Sequence, residues 1–178
     1  MKILFGNINE KFFIFNGNFS ISFNKNYQEI FCILNNFNIS ELWILTGPSS
    51  FIATRSILAF SLGYVFNTSI TLKGFNILID LLPLMSIGTN SNKLFFVNEL
   101  NRFFYCIKEE DLTKRSFFLL SYEEFMNYKN NYFLIGNHPE AHENIILNES
   151  ILFNTIKDNV NIKNISEIKI EYCGKFII

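Results

Sequence analysis

Between Ile39 and Val65 the chain reads as a short buried strand, an abrupt stop and a helix whose only charge is Arg55. Ile39 to Leu45 (ISELWIL) is rich in branched and aromatic residues, as a strand covered on both faces usually is. Gly47 and Pro48 stop it. Ser49 and Ser50 offer short side-chain oxygens to the orphan N–H groups of a first helical turn, and apolar residues at helical spacing follow from about Phe51 to about Val65. Phe51, Leu58, Leu62 and Val65 fall on one side of that helix, and Thr54, Ser61, Ala59 and Gly63 on or near others. A helix apolar nearly all round is covered on both sides, by its own domain or by a second chain. That is the first functional clue.

A strand, a glycine-bearing turn and a helix N-terminus also make a possible phosphate cradle, because N–H groups and the helix dipole favour an anion there. The Gly-Lys-Ser/Thr ending that places a lysine and a metal-binding hydroxyl does not follow Gly47. A capped helix start accounts for the same residues without a ligand. Gly47, Pro48, Ser50, Phe51 and Arg55, continued by Gly63 and Gly74, resemble the G-P-G-S-F-T-G-x-R segment and following helix of TsaB, the bacterial tRNA threonylcarbamoyladenosine biosynthesis family. The chain diverges from that pattern at Ser49, Ile52-Ala53 and Ser56-Ile57, so it reads as a divergent member.

Composition narrows the function classes. Hydrophobic residues are 49% and charged residues 17% of the 178, a balance that excludes disorder and allows a core to form unaided. Net charge is −1 with lysines and arginines scattered, so no basic stripe is available for tight RNA binding by this chain alone. Cys32, Cys106 and Cys173 lie far apart and odd in number, which fits buried thiols in a reducing cytoplasm and not a disulfide framework. No apolar run approaches the ~20 residues that span a bilayer, so a soluble, cytoplasmic protein is expected.

In chain order, Ile3 to Gly6, Phe12 to Phe15 and Phe19 to Phe23 predict an antiparallel meander, with Asn16-Gly17 as a tight hairpin turn of positive φ at both positions. Tyr27, Ile30, Phe31 and Leu34 have the spacing of an amphipathic helix over Asn26 to Asn36. After the central strand and helix come a brief strand near Ser69 to Leu72 and a helix from about Phe75 to Leu82, stopped by Pro83. Ser86 to Asn92 is the most linker-like segment and places a boundary between lobes 1–87 and 88–178. Beyond it, a hairpin spans Lys93 to Asn98 and Arg102 to Glu109, and a strand Ser116 to Leu120. Ser121 then caps a helix over Tyr122 to Tyr128 with Glu124 as capping-box partner. Tyr132 to Ile135 is a strand, Ser150 to Val160 a helix and Ile165 to Ile170 a last strand; no internal repeat is evident.

Other residues offer chemistry only weakly. His138 and His142, in HPEAHE, have the spacing that puts two imidazoles on one helix face, with Glu143 adjacent, but lack a fixed third ligand; two exposed loop histidines are the plainer reading. None of the cysteines lies in an activating motif. Arg55, alone on an apolar helix, either snorkels to water or pairs at an interface.

The resemblance implies an α/β, two-lobed actin-like (ribonuclease H-like) fold, a mixed sheet flanked by helices with the second lobe reduced. It places Asn7 where nucleotide-hydrolysing relatives carry a carboxylate, and an amide neither acts as a general base nor binds magnesium with charge. It further implies a non-catalytic scaffold with no cofactor, pairing as a heterodimer with the catalytic subunit TsaD and joined by the ATPase TsaE, with tRNA contacted only through the complex and no membrane partner. The pairing surface would comprise Tyr27, Ile30, Phe31, Leu34, Phe51, Arg55, Leu58, Ala59, Leu62 and Gly63, and would form a homodimer when the chain is alone. The rival readings are an actin-like nucleotide-binding kinase-type enzyme and a metal-dependent hydrolase at His138 and His142.

Overall fold

The computed structural model describes residues 1–8, 11–23, 26–47, 51–81, 93–100, 103–109, 116–130, 133–136, 143–144 and 148–158. The chain divides into two compact units, 1–76 with 148–172, and 77–147 with 173–178. The expected linker at Ser86 to Asn92 and the expected strand at Ile165 to Ile170 lie outside the described residues.

In the first unit, β1 (Lys2–Ile8), β2 (Lys11–Phe15) and β3 (Ser20–Phe23) form the antiparallel meander that the alternation predicts. The turn from β2 to β3 is tight, as expected, but sits one residue later than Asn16-Gly17: Phe15 pairs with Ser20 and Asn16 N–H donates to Phe19 O at 3.4 Å, so Gly17 and Asn18 are the two turn positions, with positive φ, +95°, at Gly17 and not at Asn16. The Asn16 carboxamide oxygen adds to that backbone bond, accepting from the backbone N–H of Asn18 at 2.9 Å and of Phe19 at 3.0 Å, which shifts the turn by one residue.

Helix α1 (Tyr27–Asn35) starts at Asn26, whose Oδ1 accepts from the Glu29 N–H at 3.3 Å, and ends where Asn36 N–H reaches Ile33 O at 3.1 Å. Then follow β4 (Glu41–Gly47), helix α2 (Phe51–Val65) and β5 (Thr71–Asn76). The helix expected from Phe75 to Leu82 starts two residues late and is π-type, Ile77–Leu81. Phe75 pairs with Leu45 and Asn76 with Gly47, so sheet pairing prolongs β5 into the start of the expected helix. A short apolar run carries no period that separates strand from helix, and here the neighbouring strand decides.

The first sheet runs β3-β2-β1-β4-β5, with β1, β4 and β5 parallel. Alternation along the strands gives it two apolar faces. Ile3, Phe5, Phe12, Ile14, Leu42, Ile44 and Leu72 form one core with Ile30 and Leu34 of α1 and Ala53 and Ile57 of α2. On the other face Trp43 meets Phe75 at 6.1 Å and Phe153 at 5.1 Å between ring centroids, and Phe153 meets Phe15 at 5.4 Å. Phe153 belongs to a helix (Glu149–Asp158) far away in sequence, capped by Asn148 Oδ1 accepting from Ile151 N–H at 2.9 Å. Helices therefore cover both faces, and β1 and β4 read as continuous apolar runs for that reason.

In the second unit, β6 (Lys93–Leu100), β7 (Phe103–Glu109) and β8 (Ser116–Ser121) make another meander, followed by helix α3 (Tyr122–Lys129), β9 (Phe133–Gly136) and β10 (Glu143–Asn144). The capping box is formed as predicted: Ser121 N–H donates to Glu124 Oε2 at 2.7 Å and Glu124 N–H to Ser121 Oγ at 3.2 Å. Helix Glu149–Asp158 of the first unit is then α4. The second sheet runs β10-β9-β6-β7-β8, with β6, β9 and β10 parallel. A meander whose first strand is joined by two parallel strands is also the plan of the first sheet. The chain thus repeats in topology although no repeat shows in its sequence.

Two contacts in the first unit carry testable consequences. A Cβ on Gly6 would stand 2.5 Å from Leu45 Cδ1, so Gly6→Ala should lower stability by about 1–3 kcal/mol in urea unfolding, and Leu45→Val added to it should restore part of the loss. At the amino ends of the parallel strands, Glu41 accepts from Trp43 Nε1 at 2.8 Å and Lys73 Nζ at 3.0 Å, with Lys2 Nζ at 3.7 Å. Burial pushes the Glu41 carboxyl up, but those two hydrogen bonds and the lysine charges outweigh it and hold the carboxyl below its ordinary 4.5. Its contribution is therefore present above pH 4.5 and lost as pH falls through the lowered value. Unfolding measured between pH 7 and pH 3 should show a shallower acid loss for Glu41→Gln than for the natural chain.

Candidate functional site

Helices α1 and α2 lie on the same face of the first sheet, and an aromatic seam joins them. Tyr27 packs against Phe60 at 5.4 Å and Phe31 edge-on to Tyr64 at 5.9 Å, while Phe60 reaches down to Phe5 at 5.8 Å. Each such ring pair adds about 0.5–1.5 kcal/mol beyond the area it buries. Pairing Tyr27 with Phe60 and Phe31 with Tyr64, one turn further along each helix, keeps the helices in fixed register. Tyr64 is partly buried, and that burial raises its phenol above the ordinary value.

Outside the seam, α2 presents an apolar strip. Ile52 is 68% exposed, Leu62 45% and Phe66, just past the helix end, 74%; Ala59 and Gly63 lie exposed between them, and Phe31 of α1 is 48% exposed beside Tyr64. Positions 52, 55, 59, 62, 63 and 66 recur at helical spacing, so the strip runs the length of α2. Arg55, exposed, is its single charge. The helix closes through Thr68, whose N–H and hydroxyl both reach Val65 O at 3.0 and 2.8 Å, with Asn67 at φ 57°. That left-handed turn fixes where Phe66 stands.

The residues expected on the pairing surface divide. Phe31, Arg55, Ala59, Leu62 and Gly63 are exposed and close together on the helical pair. Ile30 and Leu34 are 0% exposed and belong to the core, and Tyr27 and Leu58 pack partly buried against it. Of the helix side read as Phe51, Leu58, Leu62 and Val65, Leu58 and Val65 turn inward and Leu62 stands well clear. Phe51 opens α2. A helix with apolar residues on both sides gives no contrast to mark its inner face, so the grouping falls out of phase with the strip. Ile52 and Phe66, which lie outside the expected surface, complete the exposed strip. Their signal was the seven-residue spacing 52, 59, 66, which only the burial of Ala53 and Ile57 on the opposite side makes decisive.

Gly47 closes β4 with φ at +147°, a conformation that side chains disfavour, at the register shift where it pairs with Asn76. Pro48 and Ser50 lie outside the described residues, as do His138 and His142. Among the described residues no cluster of three metal-ligating side chains occurs, and no helix is long and apolar enough to cross a membrane. Asn7, in register with Phe12, is 8% exposed near the carboxyl end of β1; Thr46 and Asn76 are buried at the corresponding ends of β4 and β5.

No family model and no curated protein matches the chain. Among solved structures it is similar to an uncharacterized protein "with similarity to peptidase YEAZ from Pseudomonas aeruginosa", at 7% identity over 96% of this chain and 99% of that one, with a TM-score of 0.54. YeaZ from Pseudomonas aeruginosa matches at 10% identity over 68% and 67%, with a TM-score of 0.44. At 7% identity the likeness is one of fold. The chain has the YeaZ-like, actin-like α/β fold, with its mixed five-stranded sheet flanked by helices.

Gly63 offers a direct check on the exposed strip. A Cβ there meets nothing within 4 Å, so Gly63→Ala should stabilise the isolated chain by up to about 1 kcal/mol through helix propensity, read as a rise in the urea midpoint at unchanged slope.

Proposed function

We propose that the protein is a TsaB-type scaffold subunit of a tRNA threonylcarbamoyladenosine modification complex, and that α1 and α2 dock a TsaD-type catalytic subunit. The observation that carries the proposal is the strip of Ile52, Ala59, Leu62, Gly63 and Phe66 beside Phe31, exposed along one helix with Arg55 as its only charge. Contiguous apolar surface of this kind marks an interaction site, and obligate interfaces are more apolar than transient ones. The YeaZ-like fold is consistent with the family that the Gly47 to Arg55 segment resembles. The role is mechanical: the seam to Phe5 holds the two helices rigid, and the partner covers the strip and is held in one conformation by it.

Coexpression with the TsaD homologue of the same genome, followed by size-exclusion chromatography with light scattering, tests this. A one-to-one complex is expected. Leu62→Asp, at a side chain already 45% exposed, should leave the fold intact and weaken association by more than about a hundredfold, because a buried unpaired carboxylate costs several kcal/mol. Leu62 is the better probe than Leu58, whose packing on the core would confound folding with binding. A Leu62→Asp chain that still elutes with the partner at full yield refutes the docking face. A natural chain that ignores the partner and forms a homodimer refutes the scaffold reading and leaves self-association through the strip.

A second reading has its own observation. Asn7, Thr46 and Asn76 are polar yet buried at the carboxyl ends of three adjacent parallel strands, the end of an α/β sheet where ligands bind. In the nucleotide-binding reading those residues would line a phosphate site next to Gly47. ATP with magnesium at a hundred times its dissociation constant would then raise stability by about 2.7 kcal/mol. An unchanged melting temperature at millimolar nucleotide is the outcome expected here, since Asn7 brings no charge to a metal.

A further inference from the structure

We draw no further inference here: the strongest candidate, the thiol of Cys32 on helix α1, exposed where a buried one was expected, is a lone cysteine, and nothing else at that place in the structure points to a ligand or a redox partner.

Discussion

Burial of both faces of the β1–β4 pair is the constraint on which the rest of the first unit depends. Phe5 looks into the core beneath α1 and α2, and Trp43 looks the other way onto Phe153 of α4. Both are fully buried. Neither face could be left to water, since fully burying one such ring is worth about 1.5–3 kcal/mol. The sheet therefore needs two helical layers, and the chain returns α4 from beyond the second sheet to supply one of them. Gly6 shows how tightly this is packed, because Leu45 and Phe13 occupy the space where its side chain would be.

Helix α2 has to satisfy two demands at once. Ala53, Ile57 and Ser61 face inward, where the helix lies against β4, β1 and β5, and Ser61 Oγ finds no hydrogen-bond partner among the described residues. The outer side of the helix keeps Ile52, Leu62 and Phe66 in water although polar residues there would be cheaper to keep soluble. Small residues at Ala59 and Gly63 leave the middle of the strip low, with bulk at both ends. An occupant that packs against such a surface approaches the helix backbone closely at its centre. The aromatic seam from Phe31 and Tyr64 through Phe60 to Phe5 ties that surface to the core.

The two sheets share one plan, a meander with two parallel strands added to its first strand, yet their sequences give no sign of it. Topology persists because it needs only apolar alternation and turns in the right places, which many side chains provide. Function follows no such rule. The same plan serves wherever its surface residues suit, so the proposed role rests on the α2 strip and not on the sheet order.

Much of this was legible in local chemistry. Asn26, Ser121 with Glu124, and the strand–stop–helix run to Val65 each carry their own hydrogen-bonding or steric instruction within a few residues, and each element forms where that instruction stands. The phase of the Asn16 turn and the end of β5 depart from the local reading because a side-chain oxygen and a neighbouring strand outcompeted the local backbone preference. The sequence by itself determined most of the elements, their order and the unusual lack of charge on α2. Only the tertiary structure decided which side of α2 meets water, that Ile30 and Leu34 are core, and that α4 closes the first sheet. Apolar residues specify that burial will occur, but burial has no direction along the chain, and the choice of face belongs to whichever distant side chains arrive to share it.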